Sequence, residues 1–180
     1  CKLNFMKNIF FTLALLVSFS SFSQTAKEYF DSSFEKTAKE YFDSGMDKAD
    51  NGDIYGAISD FSKAIEIEPN NSQAYNNRGY SKNILKDYYG AIADFIKSIE
   101  LDPNNIEAYY NKGLAKHNLK DYSGAIADYT KAIELNTNLG VAYHNRAIAK
   151  EFSDIDGCAD ARKAKEVGYD SDKLIKLICN

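Results

Sequence analysis

The chain has 180 residues, 44% of them hydrophobic and 27% charged, with two prolines, a formal charge of -4 and a pI near 5.3. Clustered Lys and Arg, which phosphate neutralisation requires, are missing, so nucleic acid is excluded as a partner class. A chain of this length is either one ordinary domain or a short stack of repeats.

The first predicted element is a targeting segment. Met6 is the candidate start residue, Lys7 supplies a short positive stretch, residues 9–19 are an apolar run of 11, and Ser21-Phe22-Ser23 is a small-x-small cleavage site before Gln24. This is the pattern of a secretory signal peptide over residues 1–23. A membrane-spanning helix needs about 20 apolar residues, and Ser18, Ser20, Ser21 and Ser23 interrupt the run. A lipid anchor is disfavoured because Cys1 precedes the apolar stretch. Cleavage removes Lys2 and Lys7 and no acid, taking the charge from -4 to -6. The expected product is periplasmic or secreted, with no stable membrane insertion after cleavage.

Next comes a short duplication. Thr-Ala-Lys-Glu-Tyr-Phe-Asp-Ser occupies residues 25–32 and again 37–44. A shift of 12 residues turns a helix face by about 120°, so the two copies cannot present one face to one neighbour. Residues 24–37 are therefore expected to be a linker or lead-in helix, with the second copy opening the main repeat.

From Ala38 the chain repeats every 34 residues: Ala57, Ala91 and Ala125 are so spaced, as are Pro69 and Pro103. This period signals a stacked helical array. Units fall at 38–71, 72–105 and 106–139, with a shorter one at 140–168. In each, a first helix carries Tyr41, Tyr75, Tyr109 or Tyr143 four residues before Gly45, Gly79, Gly113 or Ala147, on one helical face. Glycine inside a helix costs about 1 kcal/mol relative to Ala, so its recurrence implies that another backbone comes close. A second helix carries an apolar stripe at i, i+4 and i+7: Ala57, Phe61, Ala64; Ala91, Phe95, Ser98; Ala125, Tyr129, Ala132. Asn51-Gly52-Asp53, Lys86-Asp87 and Lys120-Asp121 break the helices into tight hairpins.

Over residues 38 to about 137 these positions resemble the tetratricopeptide repeat (TPR) family, with an aromatic, a Gly, an Ala, an aromatic, an Ala and a Pro at set places of 34. The resemblance implies an all-α fold, a right-handed superhelical solenoid of helix hairpins. Two departures stand out: Thr137 replaces the proline of the third unit, and Lys48, Lys82, Lys116 and Lys150 replace an aromatic of the first helix. The fourth unit loses two positions, since Asp128 to Asp160 is 32, and its second helix, residues 157–167, has Ala161 where an aromatic belongs. Shallower packing is expected there. Gly168 suits a C′ position, Ser171 suits the N-cap of a last helix, and Leu174, Ile175 and Ile178 give that helix one apolar face. Residues 169–180 then cap the stack.

Cys158 lies nine residues before Val167 and Cys179 nine after Asp170, so an antiparallel pair brings both to one end. An oxidising compartment favours a disulfide, worth on the order of 3 kcal/mol in the chain-entropy model; buried free thiols are the alternative. The redox spacing Cys-x-x-Cys is absent. So are His-Glu-x-x-His, Gly-x-Ser-x-Gly and a phosphate loop, and His117 and His144 are isolated. A calcium loop at Asp47 is rejected because Ala49 and Ile58 stand at ligand positions. No catalytic residue, metal or cofactor is expected. The lysines at 48, 82, 116 and 150 and the aspartates at 60, 94, 128 and 160 form either a ladder of ion pairs or two solvated stripes.

The resemblance also implies that the first helices line a concave, peptide-receiving groove. Its candidate residues are Phe42, Asn76, Asn77, Tyr110, Asn111, His144 and Asn145, and one turn on Met46, Tyr80, Leu114 and Ile148. Asn77, Asn111 and Asn145 form a column of amides suited to a ligand backbone. Co-chaperones of this family grip acidic tails with Lys, Asn and Arg, but Phe42, Met46, Glu107 and Asn111 occupy the corresponding places here, and only Asn77 matches. The expected function is a non-enzymatic adaptor for a protein or peptide ligand; the alternative is a structural self-assembly module.

Overall fold

The computed structural model describes residues 36–179; the expected signal peptide at 1–23 and the first copy of the duplicated octapeptide lie outside the described residues. Every element among the described residues is an α-helix. They pair as α1 (Ala38–Asp50) with α2 (Ile54–Ile67), α3 (Ser72–Ile84) with α4 (Tyr88–Leu101), α5 (Ile106–Asn118) with α6 (Tyr122–Leu135), and α7 (Gly140–Glu151) with α8 (Cys158–Glu166). A last short helix, α9 (Asp172–Ile178), packs on α8. Each helix packs against the next, and α3 also touches both α1 and α5, which puts the first helices along the inner side of a solenoid.

The repeated sequence sets the helix ends. Asp53, Asp87 and Asp121 each cap a second helix by accepting from the N–H of Gly56, Gly90 or Gly124 at 2.9–3.0 Å. A Cβ on any of those glycines would run into the capping carboxylate, so the Gly of Gly-Ala-Ile belongs to the cap. Asn71 and Asn105 cap α3 and α5 in the same way, and Thr37 with Glu40 forms a reciprocal box at α1. The first helices end in a left-handed residue, Gly52 in unit 1 and, with φ of 64°, Lys86 and Lys120 in units 2 and 3.

What approaches the first-helix glycines is a ring. A Cβ on Gly45, Gly79 or Gly113 would lie 2.7–2.8 Å from the edge of Phe61, Phe95 or Tyr129, and all three rings are fully buried. The expected backbone contact therefore gives way to an aromatic seated on the glycine, with the Ala91 carbonyl 3.1 Å from the same point at Gly79. Unit 4 makes the complementary exchange, with Ala147 for Gly and Ala161 for the ring. The start of its second helix nevertheless comes close to the first. A Cβ on Gly157 would sit 2.5 Å from the Ala147 carbonyl oxygen, so here two backbones do meet.

The charge columns form a ladder. Lys48–Asp60, Lys82–Asp94, Lys116–Asp128 and Lys150–Asp160 are paired at 2.7–2.8 Å. The aspartates are only 5–6% exposed, which rules out the solvated stripe on that side. A second partner completes each carboxylate: Ser44, Arg78, Lys112 and Arg146 reach Asp60, Asp94, Asp128 and Asp160 respectively.

At the far end Gly168, with φ of 91°, closes α8, and the Tyr169 N–H donates to the Ala164 carbonyl. Cys158 and Cys179 are joined in a disulfide with their Cα atoms 5.1 Å apart. Ser171 precedes α9 but does not cap it; its hydroxyl pairs with His144 Nδ1 at 2.8 Å.

Candidate functional site

Between α1, α3 and α5 the inner side opens into two adjoining cavities. One, of about 240 Å3, is lined by Met46, Ala49, Asp50 and Phe61 from unit 1, by Asn76, Asn77, Tyr80 and Ser81 from unit 2, and by Glu107 and Asn111 from unit 3. The other, of about 520 Å3, shares Met46, Asn76, Asn77 and Glu107 and adds Phe42, Gln73, Asp102, Asn105 and Ile106. Together they form one trough across three units. Met46 and Tyr80, 38% and 48% exposed, are apolar surface left open within it.

Side-chain amides tie the walls together. Asn111 Nδ2 donates to Asn76 Oδ1, and Asn76 Nδ2 donates to Glu107 Oε2, both at 3.3 Å. Asn77 Nδ2 meets the Met46 sulfur at 3.2 Å, and Asn145 Nδ2 donates to the Tyr110 hydroxyl at 2.9 Å. The asparagine column thus runs diagonally, each amide reaching back into the preceding unit. Asn76 and Asn111 are 4% and 8% exposed. These groups hold the groove walls in register, and part of their donor capacity is spent on that.

Of the residues singled out in the sequence, Phe42, Met46, Asn76, Asn77, Tyr80 and Asn111 meet in the trough. Tyr110 and Leu114 instead pack against Tyr129 and Ala149 in the core, and burial raises the pKa of the Tyr110 hydroxyl. His144 lies at the other end of the row, in a separate cavity of about 370 Å3 formed with Asp170, Ser171, Lys173, Leu174 and Leu177. Burial lowers its pKa against the opposing charge of Asp170. Ile148 is half-buried and lines none of these three cavities. Sequence reasoning did not select Ala49, Asp50 or Phe61 as lining. The signal for the first two was available: they follow Met46 by three and four residues and share its helical face. Among the described residues no group of three or more His, Cys, Asp or Glu is placed to hold a metal ion.

The charge of the trough has one sign. Asp50 and Glu107 border the smaller cavity, Asp102 and Glu107 the larger, and neither has Lys or Arg in its lining. The wall chemistry is apolar floor, amide sides and carboxylate rim.

Models of the tetratricopeptide repeat match residues 61–93, 84–120 and 106–139. Over these residues the chain is built of tetratricopeptide repeats. Solved TPR structures share its fold. The crystal structure of MamA is 23% identical, covers 77% of this chain and 81% of its own, and superposes with a TM-score of 0.70. The first TPR of Spaghetti (RPAP3), bound to HSP90 peptide SRMEEVD, is 23% identical over 64% of this chain and 91% of its own, with a TM-score of 0.63. The Arabidopsis OM64 TPR domain is likewise 23% identical, covering 64% of this chain and 95% of its own, at 0.63. At these identities the likeness is one of fold. No curated protein matches the chain. The trough of this TPR protein is built by units 1 to 3, of which α1, like the fourth unit, lies outside the matched residues.

Proposed function

We propose that this TPR protein is an exported adaptor that receives an extended segment of a partner protein in the trough between α1, α3 and α5. The observation that carries the reading is the exposed pair Met46 and Tyr80, open within a cavity walled by three units. Apolar anchors between fixed amides suit a chain whose side chains seat in turn while its backbone meets polar walls. The fold neighbour solved with a bound peptide supports the mode of binding and leaves the ligand open.

Export rests on residues 1–23 and on the pairing of Cys158 with Cys179. A photo-crosslinking amino acid at position 80 is expected to trap a partner from the native host, whereas the same group at Tyr55, exposed on α2, traps none. Equal trapping at both positions overturns the groove assignment. Expression with the leader intact should yield a product beginning at Gln24, read by intact mass; an uncleaved product overturns export by this signal.

A further inference from the structure

We propose, resting on the groove reading above, that the segment received by the trough is cationic: an extended stretch in which Lys or Arg flanks an apolar residue. Three carboxylates, Asp50, Asp102 and Glu107, border the two cavities, all three residues are exposed, and no cationic side chain lines either cavity. The two buried amides of the wall each spend a donor within it. Asn111 donates to Asn76 and Asn76 to Glu107, so the chain of donors ends on a carboxylate and the groove offers acceptors to its occupant.

The apolar floor suits the same ligand. A Lys or Arg stem lies along Met46 and Tyr80 while its head stays at the wet rim beside Asp50 or Glu107, avoiding the desolvation that buried ion pairs suffer. The open ring of Tyr80 attracts a cation over its face, an arrangement this chain already makes with Lys63, Arg78, Lys112 and Arg146 over Tyr41, Tyr75, Tyr109 and Tyr143. The formal charge of -4 adds a long-range attraction of the same sign. A peptide rich in carboxylates, such as the SRMEEVD held by one fold neighbour, meets repulsion at Glu107.

The probes are two acetylated, amidated dodecapeptides, one alternating leucine with arginine and one alternating leucine with glutamate, followed by fluorescence anisotropy with the full chain. At 50 mM salt the arginine peptide should bind at least about tenfold more tightly, and the gap should shrink at 0.5 M salt as screening sets in. Glu107→Lys should weaken the arginine peptide several-fold, while Glu66→Lys, the same charge change on the exposed outer side of α2, should leave it nearly unchanged. Tyr80→Ala should weaken it as well. Equal or tighter binding of the glutamate peptide overturns the charge preference; if Tyr80→Ala still weakens that binding, the groove reading survives alone. Equal loss from Glu66→Lys and Glu107→Lys shows only bulk attraction and overturns the proposal. Binding of either peptide untouched by Tyr80→Ala, or binding of neither, overturns both readings.

Discussion

Units 2 and 4 hold the same buried aspartate that unit 3 does, by a different device. In unit 2, Arg78 forks onto Asp94 through Nε and Nη2 at 3.0 and 2.7 Å and sends Nη1 to the Ser62 hydroxyl of the preceding unit at 3.1 Å. Arg146 does the same in unit 4, with Asp160 at 2.9 and 2.7 Å and Thr130 at 2.9 Å. Both hydroxyls in turn donate to a carbonyl four residues back in their own helix. Unit 3 has Lys112 on Asp128 at 3.0 Å, and the place of Ser62 and Thr130, 16 residues back in the preceding unit, is held by Ile96. A lysine has no planar fork to span two partners, and the isoleucine has no oxygen to receive one. Two residues 16 apart therefore change together: with arginine the aspartate knot also fastens one unit to the next, and with lysine it fastens only the hairpin.

The sharpest way to break this difference is to remove the shared anion. Asp94→Asn leaves Arg78 and Lys82, whose side chains are 18% and 23% exposed, facing a neutral amide at a cost of about 3 kcal/mol, the low end for a broken buried pair. Asp128→Asn should cost about 1 kcal/mol less, since two lysine heads turn to water more readily than a fork pinned to a neighbour. Urea unfolding of both variants checks the ranking; equal losses would mean that the lateral arginine bond contributes nothing. Converting one device into the other is the next largest change. Arg146→Lys gives up one bond to Asp160 and the bond to Thr130, and about 1.5 kcal/mol should be lost.

The reverse conversion needs both residues. Lys112→Arg alone gains a fork whose third nitrogen has no oxygen to meet at Ile96, and Ile96→Ser alone removes a half-open side chain for an unmet hydroxyl. The double change should be more stable than the sum of the two by about 1 kcal/mol, read from a double-mutant cycle. Additive effects would detach the pairing of these positions from the geometry.

The parts legible in the sequence are those that every unit repeats. Period and hairpins recur at fixed places, the lysine and aspartate columns announced themselves because each keeps one residue type, and the first-helix glycines showed a close approach, though not that a ring makes it. The second partner of each aspartate did not, since Ser44, Arg78, Lys112 and Arg146 share a place but not a chemistry. The groove was legible only as a row of helix positions. Met46 and Tyr80 stay open, whereas Leu114, at the equivalent place, and Tyr110, one turn before it, are drawn toward the core around Tyr129. Which neighbour fills the adjoining space decides the outcome, and a column of letters does not carry that. The duplication near the start holds one clue of the other kind: residues 25–36 and 37–48 match at nine places of 12, and Ser33 stands where the second copy has Gly45. The copy that forms α1 is the one with room for the Phe61 ring.

The smallest expected effect separates the arginine device from the lysine one through acidity. Burial pushes the Asp160 carboxyl up, but hydrogen bonds from Arg146 and Lys150 and their charges outweigh it, and its pKa falls below the ordinary 3.8. On acidification the unfolded chain therefore takes up this proton before the folded one does. The contribution of the knot is complete above the unfolded value and is lost as pH falls through it toward the lower folded value. Arg146→Lys removes the fork that holds the carboxyl down, so the folded and unfolded pKa values draw together. The variant, less stable at pH 7, should lose less further stability between pH 5 and pH 2 than the parent, measured as the slope of unfolding free energy against pH. Parallel slopes would mean that Lys150 alone sets the acidity of Asp160 and that the arginine acts through Thr130 and the neighbouring unit.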